Sequence, residues 1–186
     1  MDFRERLILC VEPKQDADYI TRDYLDLQLY VRLMVTGNSS IRAYDGILSV
    51  WGITEDELFD VAKENTKKDS AAANVFELFS RVFECGHEDD APELLVLTNS
   101  YQSYGAGVIA VPDCMGKVAD IKGKDLYILP SSIHELMVTP DNGVLGPSEL
   151  RAIVKDVNDT QVSPEDLLSY NVYKYSRSSG EISVCS

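Results

Sequence analysis

The chain has 186 residues, 45% of them hydrophobic, and a formal net charge of −14 from 17 basic and 31 acidic side chains. That length and apolar content suit one substantial core and exclude a disordered tail as its main character. The acidic excess runs through both halves, −9 up to residue 90 and −5 beyond it, so the surface repels phosphate backbones and direct nucleic-acid binding is not expected.

No window approaches the roughly 18–20 continuous apolar residues that cross a bilayer. The opening MDFRERLILCVEPK has too short an apolar run for a secretory leader. These features predict a soluble cytoplasmic protein with no membrane partner. Cys10, Cys85, Cys114 and Cys185 contain no C-x-x-C pair, which argues against zinc and redox motifs. Cys85-Gly86-His87 leads into Glu88-Asp89-Asp90, read as a helix end entering a solvated acidic loop rather than as a ligand set. The chain also lacks a glycine-rich phosphate loop, H-E-x-x-H, an EF-hand and a Rossmann fingerprint. Neither metal nor cofactor is expected.

In chain order, Leu7–Val11 reads as a strand stopped by Pro13, and residues 12–23 as polar turns. Leu25, Leu27, Leu29, Val31, Leu33 and Val35 then alternate with Asp26, Gln28, Tyr30, Arg32 and Met34. That period of two marks a long half-buried strand, ended by a turn at Gly37-Asn38-Ser39-Ser40. Trp51 reads as a core anchor at a helix entry. Thr54 and Glu57 have capping-box spacing, and Leu58, Val61, Ala62 and Asn65 continue at helical intervals. A second helix is expected over Ser70–Cys85, ended by Gly86.

Leu94–Thr98 reads as a strand, Asn99–Gly105 as a polar aromatic turn and Gly107–Val111 as another strand. Pro112-Asp113 opens a helix to Ile121. Leu126–Leu129 and Glu135–Thr139 read as paired strands, followed by a turn at Pro140-Asp141-Asn142-Gly143. Ser148 is expected to cap a helix bearing Leu150, Ile153, Val154 and Val157. A short helix starts at Ser163-Pro164-Glu165-Asp166 and runs through Leu168. Asn171–Tyr175 and Glu181–Cys185 form a closing hairpin. The fold class is α+β, a mainly antiparallel sheet with about four helices packed largely on one face. Residues 1–186 read as one domain, with residues 86–93 the only place for a subdivision.

The run LYILPSSIHELMVT (126–139) gathers the chemistry. Ser131, Ser132, His134 and Glu135 put two hydroxyls, an imidazole and a carboxylate into five residues. Ser132 and His134 share a face of an extended chain, whereas His134 and Glu135 point to opposite faces. Nucleophilic hydrolysis needs a hydroxyl on the imidazole and an acid orienting it, but there is no G-x-S-x-G elbow. A turn whose serines bond nearby backbone is the plainer reading. The tyrosines, Tyr101, Tyr104, Tyr127, Tyr170, Tyr173 and Tyr175, read as sheet-face packing rather than base-stacking platforms.

NSYQSYGAGVI (99–109), DLYILPSSIHELMVTPD (125–141), LRAIVKDVNDTQVSPEDLLS (150–169) and VYKYSRSSGEI (172–182), with WGITEDELFDVAKENT (51–66) upstream, resemble a family of uncharacterised bacterial proteins classed only as a domain of unknown function. The resemblance covers roughly residues 20–182. It implies longer members with a further N-terminal region, and it brings no activity with it. It places Asn99, Tyr101, Tyr104, Gly105, Pro130, Ser131, Ser132, Ile133, His134 and Glu135 on the family's motif positions. The candidate polar site is therefore Asn99, Tyr104, Ser131, Ser132, His134 and Glu135, with no residue assigned as catalytic.

The resulting expectation is a non-enzymatic binding or regulatory protein acting through its acidic surface on a protein partner with a basic surface. A sharper form is a mobile-element protein that mimics nucleic acid and blocks a DNA- or RNA-handling protein. The alternative is a small hydrolase or nucleotide-handling enzyme centred on the PSSIHE turn.

Overall fold

The computed structural model describes residues 2–36, 39–72, 94–130 and 132–185. The first sheet grows around one long strand. β3 (Leu27–Thr36) pairs antiparallel along one side with β1 (Leu7–Pro13). Its other side takes β2 (Thr21–Tyr24) against residues 27–30 and β4 (Ser39–Arg42) against residues 32–36. The predicted alternation holds from Leu27 to Leu33, with Leu27, Val31 and Leu33 pointing into the core, whereas Leu25, in the β2–β3 turn, and Val35 are exposed. The opposite face is buried as well, with Ile8, Cys10, Tyr30 and Met34 in a cluster of their own. β2 begins inside the stretch 12–23 read as turns, because TRDY is polar and carries no apolar alternation. Ser39 and Ser40, expected in a turn, start β4.

Two helices follow. α1 (Asp45–Trp51) was not anticipated, being short and carrying a glycine at its second position. Gly52 ends it in the left-handed conformation (φ 64°). Trp51 stacks on Phe3, with ring centroids 4.8 Å apart. α2 (Glu55–Ala72) opens with the predicted capping box. Glu57 donates its amide to Thr54 Oγ1 (3.2 Å), and Thr54 donates its own to Glu57 Oε2 (2.8 Å), a motif contributing about 1 kcal/mol. Leu58 and Ala62 are buried. α2 continues through Ser70, so the residues that begin the expected second helix belong to it. The remainder of that helix and the acidic stretch at 86–93 lie outside the described residues.

The second sheet has five antiparallel strands in the order β5 (Leu95–Leu97), β7 (Leu136–Pro140), β6 (Leu126–Leu129), β8 (Tyr173–Ser176), β9 (Glu181–Val184). Between β5 and β6 come a 3₁₀ helix, Gly105–Ala110, and α3 (Pro112–Lys122). Sequence periodicity predicted a strand at 107–111. The segment instead coils tightly against β1, and all six residues of the 3₁₀ helix are buried. Gly107 explains why: a Cβ there would stand 1.9 Å from the Leu9 carbonyl oxygen.

α4 (Pro147–Gln161) is capped at Gly146 rather than Ser148, with the Gly146 amide donating to Glu149 Oε2 (3.1 Å). Residues 163–166 form a turn in place of the expected short helix, with the Asp166 and Leu167 amides both donating to the Ser163 carbonyl.

The fold is thus α+β, with two antiparallel sheets where one was expected. One cluster joins inward residues of both sheets (Leu9, Val31, Ile128, Val138) to α2 (Leu58, Ala62) and α3 (Met115, Ala119). α4 lies on the other face of β6, where Leu150 and Val154 pack with Tyr127 and Leu129. Every residue of β6 is therefore buried, and its continuous apolar run follows from that. Tyrosine hydroxyls tie the first sheet to the 3₁₀ helix and to β8. Tyr24 donates to the Ile109 carbonyl (2.9 Å) and Tyr173 to Asp26 (2.7 Å), which also accepts from Asn171 (2.8 Å). Burial pushes the Tyr24 phenol up to about 12, so it remains a donor at neutral pH. Among the described residues no helix is long and apolar enough to cross a membrane.

The open edge of β1 is sealed by other elements. The Leu9 amide donates to Thr66 Oγ1 of α2 (3.0 Å). Thr66→Val leaves that buried amide without a partner and should cost about 1–3 kcal/mol in urea unfolding. Gly107→Ala forces backbone against backbone and should cost about 3 kcal/mol or more. A Gly107→Ala protein as stable as the parent would contradict the packing described.

Candidate functional site

The PSSIHE turn leaves β6 at Pro130 and enters β7 at Leu136. It meets two other segments, the loop 99–105 and the turn 163–169. His134 is the hub. Its Nδ1 accepts the Tyr104 amide (3.1 Å), and its Nε2 lies 3.0 Å from Asp166 Oδ1. Because Nδ1 accepts, the neutral ring carries its proton on Nε2 and donates it to Asp166. Asp166 also accepts from the Ser163 hydroxyl (2.7 Å). That bond, and a smaller contribution from His134, hold its carboxyl below the usual range against the opposing effect of burial.

The backbone is tied as firmly. The His134 carbonyl accepts from the Gly105 amide (3.0 Å) and Thr98 Oγ1 (2.8 Å), and the Ile133 carbonyl from the Ala106 amide (3.2 Å). The Ile133 amide donates to the Asp166 carbonyl (2.9 Å). Gly105 is required here, since a Cβ would stand 2.4 Å from Thr98 Oγ1 and 2.7 Å from the His134 carbonyl oxygen. Asn99 is buried and brackets its own loop, donating Nδ2 to the Ser103 carbonyl (2.9 Å) and accepting the Ser103 amide (3.3 Å). Gln102 and Tyr104 both adopt left-handed backbone (φ 53° and 56°), a strain that the bracket and the His134 contact sustain.

Of the candidate residues, the structure brings Asn99, Tyr104, Ser132 and His134 together. Ser132 Oγ accepts the His134 amide (3.0 Å), a local turn bond rather than a contact with the imidazole. Among the described residues Glu135 makes no bond in the network, and Ser131 lies outside the described residues. The turn is not sealed: the His134 and Asp166 side chains are 33% and 38% exposed. Sequence reading missed Asp166, Ser163, Thr98 and the guanidinium of Arg32, which lies 4.2 Å from the Tyr104 ring centroid. Asp166 stood in the Ser-Pro-Glu-Asp run, where it read as a helix start; nothing in its spacing pointed 32 residues back to His134. Among the described residues no three acids, histidines or cysteines cluster to hold a metal.

Chemically, the arrangement occupies both imidazole nitrogens and turns the Ser132 hydroxyl toward backbone. It joins three chain segments and leaves a tilted Tyr104–His134 ring pair, centroids 5.4 Å apart, at the surface. A family model described as a family of unknown function, DUF5688, matches residues 17–177. The chain belongs to that family. No curated protein and no solved structure matches it. The DUF5688 region contains the whole network, from Arg32 to Asp166, together with both sheets apart from β1 and β9.

His134→Ala removes the acceptor for the Tyr104 amide. It should cost about 1–2 kcal/mol in urea unfolding and raise amide exchange in the 99–105 loop above that of the rest of the protein. Asp166 gives a pH test. Its folded pKa lies below the unfolded value near 3.8, so its contribution is present above that pH and is lost as pH falls through the folded value. Asp166→Asn should therefore flatten the acid limb of the stability curve and leave its neutral limb parallel to that of the parent.

Proposed function

We propose that this chain is a non-enzymatic binding or regulatory protein of the cytoplasm that acts through its acidic surface on a protein partner with a basic surface. The carrying observation is the net charge of −14, of which −9, from 25 acidic and 16 basic side chains, lies on the described residues. Asp45 on α1 and Glu55, Asp56, Glu57, Asp60 and Glu64 on α2 are all exposed. Arg22 meets two of these acids, Glu55 and Asp56. Rigid, like-signed carboxylates on a helix favour fast, salt-dependent association with a cationic groove. In its sharper form the protein is a mobile-element product that mimics nucleic acid and occupies the groove of a DNA- or RNA-handling protein.

A second reading, a small hydrolase or nucleotide-handling enzyme at the PSSIHE turn, draws on the His134–Asp166 pair. The acceptor role of His134 Nδ1 and the backbone bond of Ser132 weigh against it, since neither leaves an imidazole nitrogen facing a serine hydroxyl.

Pull-down from the host lysate at low and high salt separates the two. The binding reading expects a basic protein that is retained at low salt, released at high salt, kept by His134→Ala and lost by Asp60→Lys/Glu64→Lys. For the mimic, the captured protein should release its nucleic acid when this chain is added. Retention that ignores both salt and charge reversal would refute the acidic-surface reading.

A further inference from the structure

On the outer face of the first sheet, two arginines stand directly opposite each other: Arg32 of β3 is the register partner of Arg42 of β4. Like charges so placed destabilise a sheet, and the chain has few bases to spend. Both are stacked on rings. Arg42 lies 4.5 Å from the Tyr19 centroid and 5.1 Å from that of Tyr30; Arg32 lies 4.2 Å from Tyr104 and 6.0 Å from Tyr30. The order Tyr19, Arg42, Tyr30, Arg32, Tyr104 thus alternates ring and guanidinium across the face. Stacking covers guanidinium faces and leaves their N–H edges for an acceptor.

The acceptors at hand do not balance this pair. Arg32 donates Nε to Ser40 Oγ (2.7 Å) and makes no ion pair among the described residues. Among the described residues Arg42 reaches one carboxylate, the buried Glu12 at 3.4 Å, which Tyr19 and Gln28 Nε2 (2.8 Å) already bond. Two arginines and one glutamate leave a single positive charge. Between them Tyr30 is 1% exposed, and its buried hydroxyl donates to no acceptor among the described residues, the Arg42 guanidinium beside it being a donor only. Phenylalanine would pack there without that orphan donor.

We propose that Arg32, Arg42 and the Tyr30 hydroxyl form a binding site for a carboxylate monoanion. The single uncompensated charge matches a carboxylate better than a phosphate dianion, and a guanidinium fork matches its two coplanar oxygens. The Arg42 side chain, 42% exposed, is the movable wall that admits the ligand to the Tyr30 hydroxyl. A free small acid and the carboxylate of a peptide present the same group. The site stands apart from the acidic surface proposed above, and neither depends on the other.

The test is NMR and calorimetric titration of the full chain with benzoate, inorganic phosphate, a short peptide with a free C-terminal carboxylate and the same peptide amidated. Expected is saturable binding of benzoate or the peptide acid, with amidation abolishing peptide binding. Arg32→Gln should weaken binding by about tenfold or more, and Tyr30→Phe by about three- to tenfold. Tyr30→Phe should leave the unfolding midpoint unchanged or raised, which separates a ligand donor from a packing role. Arg32→Lys, which keeps the charge and loses the fork, should also weaken binding and serves if Arg32→Gln does not fold. Binding of the peptide acid without benzoate assigns the carboxylate to a peptide; binding of both assigns it to small acids as well. Tighter binding of phosphate, binding unchanged by the Arg32 variants, or no binding of either carboxylate would overturn the proposal.

Discussion

Leu9 lies on the open edge of β1, and neither of its main-chain polar groups is used by β3. It sits opposite Val31 in the antiparallel position where neighbours exchange no hydrogen bonds. Its amide goes to Thr66 and its carbonyl faces the α-carbon of Gly107. An edge strand left bare invites pairing with another chain; here a helix meets the amide and a 3₁₀ turn covers the carbonyl of one residue. That closure fixes where α2 lies and where residues 105–110 lie. The loop 99–105 is then held between β5 and the 3₁₀ turn, so the Tyr104 amide arrives at His134.

The network around His134 is thus downstream of a packing constraint made nearly a hundred residues earlier in the chain. Gly107 and Gly105 sit two residues apart and serve the two ends of that chain of contacts, one against β1 and one against the His134 carbonyl. Two tyrosine hydroxyls add to it, Tyr24 bonding the 3₁₀ helix and Tyr173 of β8 bonding Asp26 at the β2–β3 turn. Tyr104 belongs to both systems: its amide meets His134, while its ring meets Arg32 of the first sheet.

Much of this was legible where one residue's neighbours in sequence decide its environment. The strand around Leu27–Val35 showed its period, Thr54 and Glu57 showed their box, and Pro112 and Gly123 bounded α3. Legibility failed where the environment came from elsewhere. GAGVIA is apolar and glycine-rich, which fits a strand or a buried coil equally; the Leu9 backbone, a hundred residues away, decides it. β2 has no apolar alternation because its inward residues are Arg22, stacked over Phe59, and Tyr24, bonded to Ile109. At the candidate site, the side-chain cluster in PSSIHE marked the turn where His134 makes its hydrogen bonds. Its partners could not be read, since one is a backbone amide and the other an aspartate 32 residues on.

The two halves of the β1 seal are made from parts that differ widely in sequence position. A ribosome delivers the first sheet complete by residue 42 and Thr66 soon after, but the covering of the Leu9 carbonyl waits for residue 107. At about 5–20 residues per second this interval lasts several seconds. During it the nascent chain carries a finished sheet with one flank partly bare, beside other growing copies on the same message. The glycine at 107 therefore also sets the length of the window in which two nascent chains can join edge to edge.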